Sequence, residues 1–334
     1  MGGDNAPEEI VKGTVLALSN HPEAEAVLVG REEEIRDCAE KNKLSLDRIT
    51  VVDAREKVEM EDNPTEAFRS KKDSSLCRGL KLFKEDGDVF ISTGSTGALL
   101  FCATLTVRRM PGVDRPCIAT VLPFETPLLV LDSGANIEVK PEYFHQWAML
   151  GTIYSKVLFG NSSPRVGMVN NGTEETKGTE LQKESFGLLR DAEGINFVGN
   201  VEGREIPAGA CDVLLCDGFT GNVVLKYTEG MAKMFSSQLK GMIYKSLKNK
   251  LAGLLLRRDL NSFKEQFNYK RYGGSPIIGL SKPVFKAHGN SDAQSFASGV
   301  EQAIEFVNSS APAELSEAAA YLKKLKDERK KENV

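Results

Sequence analysis

Histidine is scarce, with only His21, His145 and His288 in a chain of 334 residues. The six cysteines, at 38, 77, 102, 117, 211 and 216, form no CxxC pair and no Cys/His group with zinc spacing. They read as reduced thiols serving as small apolar side chains, and no metal site is expected. Long apolar runs are lacking too. The densest, Leu128 to Leu131 and Val213 to Cys216, are strand-sized, far short of the roughly 18 residues of a spanning helix. The opening MGGDNAPEE has neither the basic nor the apolar region of a secretory signal, so a cytoplasmic protein is expected. GxGxxG, the P-loop and the GxSxG elbow are absent, which leaves a Ser/His/Asp triad without support. A net charge of −4 argues against nucleic acid as partner of the whole chain.

What is present is an ordinary globular composition, 41% apolar and 27% charged. The length suggests about two domains, or one large α/β unit with an insertion. Apolar runs predict strands at 26–29, 49–53, 88–92, 118–122, 127–132, 165–169, 196–200 and 212–217, the pair between 118 and 132 being close enough to form a hairpin. Amphipathic stretches predict helices at 8–18, 31–41, 70–84, from Ala98 onward, and at 142–154. Continuous apolar strands between helices predict an α/β fold with a mostly parallel sheet covered on both faces. The start, GGDNAPEE, reads as a loop feeding a helix, with Asp4 or Asn5 as N-cap and Pro7 near the first helical position. Such a loop usually follows a strand; either that strand lies upstream of an alternative start or the sheet lacks it.

Beyond residue 228 the texture changes. From Lys233 to Arg271 ten Lys or Arg face two acidic residues, while the remainder of the chain carries 33 basic and 45 acidic ones. Ile243, Leu247, Leu251, Leu254 and Leu255 recur at helical spacing among Lys245, Lys248 and Lys250. Gly253 is expected to divide the run into two helices at an apolar tip, followed by Arg257 and Arg258. This basic hairpin is a dimer core, a solvated face, or a docking surface for an acidic partner or anionic lipid. A glycine turn, GGSPIIGLSKP, then leads to HGNSD and a helix at 293–308. The expected organisation is an α/β core (1–230 and 272–310), the hairpin (231–271) and a charged C-terminal helix (311–334) fraying at KDERKKENV.

Four loops combine glycine with small polar residues at strand ends. They carry Gly94, Ser95, Thr96 and Gly97; Gly134 and Asn136; Asn170, Gly172 and Lys177; and Asp217, Gly221 and Asn222. Ligands of open α/β sheets bind beyond the carboxyl ends of strands, and free N–H groups at helix starts suit phosphate. Lys177, in EETKGTE, is either a surface lysine paired with its glutamates or a cation that holds an oxyanion. Asn222 is either a helix N-cap or an amide donor to a substrate carbonyl. His288 is either a base or a capped turn residue.

Taken together, GGDNAPEE, STGSTGALL, LDSGANIEVKPEYFHQWAMLG, NNGTEETKGTE, FVGNVEGREI, CDVLLCDGFTGNVVLKYTEG and KAHGNSD resemble the bacterial PlsX family of phosphate acyltransferases, in order from residue 2 to about 305. Ser95 stands where that family often has Asn, and Asn171 and Thr179 replace its more usual residues. The resemblance implies transfer of a long acyl chain from acyl carrier protein to inorganic phosphate, without a cofactor, giving acyl phosphate for phospholipid synthesis. It implies a three-layer α/β/α sandwich related to phosphotransacetylase and the isocitrate dehydrogenase-like group. Lys177 and Asn222 match positions regarded as catalytic. The hairpin matches the region tied to dimerisation, carrier-protein recognition and peripheral attachment to the inner membrane face. The substrate-binding set then comprises Gly94 to Gly97, Gly134, Asn136, Asn170, Gly172, Asp217, Gly221 and His288, and the hairpin set Lys245, Lys248, Lys250, Leu254, Leu255, Arg257 and Arg258. The rival readings are a phosphotransacetylase-like enzyme for small acyl groups, a metal- or NAD-dependent dehydrogenase on the related fold, and a non-catalytic adaptor.

Overall fold

The strand-sized apolar runs assemble into two sheets in the computed structural model, which describes residues 1–260 and 272–332. A small parallel pair joins β1 (Ala26–Gly30) and β2 (Ile49–Asp53). The main sheet contains β3 (Phe90–Ser92), β4 (Cys117–Leu122), β5 (Leu128–Leu131), β6 (Arg165–Asn170), β7 (Asn196–Glu202), β8 (Val213–Leu215), β9 (Gly274–Ile278) and β10 (Val284–Ala287), in the order β3-β10-β9-β4-β5-β8-β6-β7. Five of the eight pairings among the described residues are parallel, and β4–β5 is the expected hairpin. The antiparallel pairs sit in the middle, around β9 and β4. As a result β3, β10 and β4 run one way, and β9, β5, β8, β6 and β7 run the other.

Helices cover both faces, as the α/β expectation requires. Those preceding the last strands are α1 (Glu8–Asn20), α2 (Glu32–Lys41), α3 (Pro64–Ser70), α4 (Ser75–Asp86), α5 (Thr96–Thr106), α6 (Pro141–Phe159), α7 (Glu180–Arg190), α8 (Gly218–Tyr244) and α9 (Leu247–Leu255). After β10 come α10 (Ala293–Asn308) and α11 (Ala311–Glu332). On one face α6, α10 and α11 close over Ala119, Leu129, Leu131, Met168 and Phe285, with Trp147 and Phe144 fully buried. Tyr154 stacks on Phe306 at 4.5 Å between ring centroids. Each such side chain contributes about 1.5–3 kcal/mol of burial. The opposite face has two separate apolar patches. One lies under α4 and α5 (Leu80, Leu99, Ile118, Ile277, Val284) and the other beside α8 (Leu122, Val130, Leu214, Leu225).

Several elements depart from the sequence expectation. The helix expected at 70–84 starts at Ser75, because the Ser74 hydroxyl accepts from Cys77 N at 3.3 Å and caps it. Neither Asp4 nor Asn5 caps α1; the Asn5 amide instead donates to the carbonyls of Asn290 and Ser291 at 3.2 and 3.3 Å. The segment read as a glycine turn contains β9, and its glycines serve close packing. A Cβ on Gly273 would lie 1.9 Å from the Ser295 carbonyl oxygen of α10. The short helix α3 and the capping-boxed α7 (Thr179 with Gln182) went unread.

In the basic segment the helix breaks at Lys245–Ser246, where the Ser246 hydroxyl accepts from Asn249 N at 3.1 Å, and not at Gly253. Gly253 lies inside α9, and a Cβ there would meet Ile243 of α8 at 2.6 Å. The chain is helical again at 257–260, and the remainder of the expected hairpin, 261–271, lies outside the described residues. The boundary expected at 230 falls within α8. The C-terminal helix holds its shape through Glu332, anchored by a Lys326–Asp114 ion pair, instead of fraying from Lys326. Residues 333–334 lie outside the described residues.

Candidate active site

Between the two apolar patches the sheet turns polar. Lys286 of β10 pairs with Ser275 of β9, and Thr120 of β4 lies next in the same row, its hydroxyl 3.3 Å from that of Ser275. Ser133 extends the row, hydrogen-bonded to Thr120 at 2.7 Å and donating to the Ile118 carbonyl at 3.0 Å. These residues floor a cavity of about 460 Å³. Val121, Leu122, Pro123, Phe124 and Leu225 make one wall apolar, while Thr96, Gly134, Asn222, His288 and Ser291 complete the rest.

The loop after β5 is organised by Asp132, which is fully buried. Its carboxylate accepts from the backbone of Ile118, Gly134, Ala135 and Asn136 at 2.6–3.2 Å, and from the Asn136 amide at 2.9 Å. Burial pushes the carboxyl up, against the pull of these donors. Asn136 is therefore a brace for this loop, its amide also reaching the Pro116 carbonyl at 2.8 Å. The start of α8 presses on the same loop. A Cβ on Gly221 would lie 1.9 Å from the Asp132 carbonyl oxygen, so only glycine allows the approach. Asp217, not Asn222, caps α8, accepting from Thr220 N at 2.9 Å. Asn222 sits one turn further, beside Gly134, where a Cβ would be 3.7 Å from its own. That frees its amide from capping and places the side chain on the cavity wall.

The loops do not share one sheet end. Those after β5, β8 and β6 leave one end, whereas the Gly94–Gly97 loop follows β3, which runs oppositely. It still reaches the cavity, since Ser95 caps α5 and Thr96 lies on the wall. Lys177 is not among the lining residues. It is exposed on the loop after β6, where the Asn170 amide donates to its carbonyl at 3.1 Å and its stem packs over Gly172. His288 stands at the cavity mouth, and burial of its ring lowers its pKa. Lys245, Lys248, Lys250, Leu254, Leu255, Arg257 and Arg258 are exposed, away from the cavity.

Sequence reasoning passed over Lys286, Thr120, Ser275 and Ser133. The signal available was the KAHGNSD motif itself, whose lysine is the third residue of a four-residue strand. Burial brings the Lys286 ammonium down to about 8, with Asp4 opposing the shift. Burial drives the Cys117 and Cys216 thiols well up, so neither supplies a thiolate nucleophile here. Among the described residues no group of three or more His, Cys, Asp or Glu has the arrangement of a metal site, and no helix is long and apolar enough to cross a membrane.

The arrangement has solved counterparts. A phosphotransacetylase from Streptococcus pyogenes superposes with a TM-score of 0.58 at 17% identity, over 91% of this chain and 92% of that one. The EutD phosphotransacetylase from Staphylococcus aureus does so at 0.56 and 14%, over 90% and 91%; at such identities the likeness is one of fold. In sequence, the phosphate acyltransferase of Clostridium tetani is 45% identical over 308 residues, and that of Caldicellulosiruptor saccharolyticus 43% over 309, each covering 92% of both chains. The profile of the fatty acid synthesis protein family matches residues 1–314. The chain belongs to this family and, with these relatives, to its phosphate acyltransferases.

Proposed function

We propose that the protein transfers a long acyl group from acyl carrier protein to inorganic phosphate, yielding acyl phosphate for phospholipid synthesis. The observation that carries this reading is the two-sided cavity. A polar floor of Lys286, Ser275 and Thr120 suits a phosphate, and the Val121–Phe124 and Leu225 wall suits an alkyl chain. Phosphate is already an anionic nucleophile and a thioester an activated donor, so positioning and oxyanion donors suffice. One phosphate oxygen attacks the thioester carbon, the carbon–sulfur bond breaks, and the carrier thiol departs with the proton that phosphate releases. Asn222 donates its amide to the carbonyl oxygen as charge develops there, and the adjoining loop braced by Asp132 holds Asn222 in position. Lys177 lies outside the cavity lining, on the loop after β6, and its catalytic role rests on the family resemblance alone.

The exposed basic and apolar residues of α8 and α9 support a docking role. Lys245, Lys248, Lys250, Arg257 and Arg258 accompany Leu254 and Leu255, which are 62% and 79% exposed. We assign them to an acidic carrier protein and to the anionic inner face of the membrane. Phe219, Val223 and Tyr227, exposed at four-residue spacing along α8, are assigned to a second protomer. The decisive experiment is incubation of the pure protein with acyl carrier protein thioester, with and without phosphate. Thiol release and acyl phosphate are expected only with phosphate; no consumption, or consumption indifferent to phosphate, overturns the reading.

A further inference from the structure

We infer that Lys286 is the residue that holds inorganic phosphate in the cavity, clasped against the first turn of α5 and the Ser291 hydroxyl. The inference rests on the reading above that phosphate is the acyl acceptor, and it adds a residue outside the substrate-binding set that the loops and the resemblance imply. A lysine on the inner face of a central sheet is costly unless something compensates its charge. The Lys286 Nζ donates to the carbonyl oxygens of Thr93 (3.3 Å) and Ala287, and among the described residues no ion pair neutralises it. An ammonium has three donors, so one remains for a ligand above the Thr120–Ser275 floor.

The surroundings are suited to an oxyanion on independent grounds. The Thr93 carbonyl that receives Lys286 belongs to the loop opening α5, where Thr96 lines the cavity. Ser95 caps that helix by accepting from Ala98 N, leaving the earlier N–H groups of the first turn without intrahelical acceptors. Ser291, another lining residue, is 4% exposed, and its hydroxyl has no hydrogen-bond partner. A buried hydroxyl without a partner is uncommon in a folded protein, and a phosphate oxygen would supply one. Lysine, two helix-start amides and a hydroxyl give a dianion charge compensation and several donors. A thioester carbonyl needs no such charge.

The test compares the wild type with Lys286→Met, Lys286→Arg and Ser291→Ala. Equilibrium dialysis of radiolabelled orthophosphate, without any acyl donor, should show affinity falling about tenfold or more in Lys286→Met. It should fall less in Ser291→Ala and recover in part in Lys286→Arg. In turnover the KM for phosphate should rise in Lys286→Met while the KM for the acyl donor stays put. A folded Lys286→Met protein with wild-type phosphate affinity, or one in which only the acyl-donor KM moves, overturns the inference. Should that variant not fold, the wild type decides. Orthophosphate is a dianion throughout pH 8–10, and Asp4, Lys226, Glu229, Tyr272 and His288 are the other ionisable groups lining the cavity. Binding should weaken as pH climbs through about 8, where Lys286 sheds its proton; a flat profile overturns it. Because dialysis needs no thioester, a wild type that binds phosphate but transfers no acyl group would refute the proposed reaction and leave this site standing.

Discussion

Asn222 and Asp132 show how differently two neighbouring polar residues are used. Asn222 is free of capping duty and faces the cavity, so Asn222→Ala should lose on the order of a hundredfold in kcat with an unchanged melting temperature. Asp132 is spent on its own loop. Asp132→Ala strips the acceptor from four backbone N–H groups, and urea titration should report a loss of at least ~3 kcal/mol. Lys286 makes stability depend on pH. Its folded pKa, about 8, lies below the ordinary 10.5. Between those values the unfolded chain holds a proton that the folded chain has shed, so stability gains with rising pH across that window. Denaturation of the wild type and Lys286→Met at pH 7.5 and 10 should show this gain in the wild type alone. Asn222 and Gly134 were legible because glycine-rich strand ends are locally encoded. Lys286 was not, since β10 has only four residues, too few for alternation to register.

At the scale of elements, the apolar strands β4, β5 and β8 were plain in the sequence because burial on both sides leaves an unbroken run. Helix starts were harder, because several Ser, Asp and Asn residues compete for each cap and tertiary contacts select one. Asn5 was drawn away to the 290–291 carbonyls, and Asp217 took the cap that Asn222 resembled. Glycine misled for a related reason. Gly253 and Gly273 read as punctuation, yet both mark places where two elements touch. Gly221 makes the point testable. Gly221→Ala forces α8 off the Asp132 loop, and differential scanning calorimetry should show a lower melting temperature together with lost turnover. Asp217→Ala should cost only about 1 kcal/mol as a lost cap.

For the whole molecule the dominant asymmetry is charge. The surplus of eight positive charges between Lys233 and Arg271 rides on an otherwise acidic chain, and the family name alone does not say what it meets. If the α8–α9 region docks an acidic carrier, changing Lys245, Lys248 and Arg257 to glutamate should raise the KM for acyl carrier protein, more at low salt than at high. Polar replacement of Leu254 and Leu255 should release the protein from anionic vesicles in flotation assays while leaving soluble turnover intact. Unchanged carrier kinetics and unchanged flotation would reduce the region to structure.

The reversal of strand direction between β4 and β5 bears on how the reaction is paced. The α5 loop and Lys286 belong to strands running one way, and the Asp132 loop and Asn222 follow strands running the other. Under the proposed reaction the small anion sits toward β3 and β10 and the acyl chain toward β5 and β8, on different residues of the one cavity. Neither blocks the other, and no product need leave before the second reactant arrives. Initial velocities measured against both substrates should therefore give intersecting reciprocal plots, the signature of a ternary complex; parallel lines would mean that one product leaves before the second reactant binds.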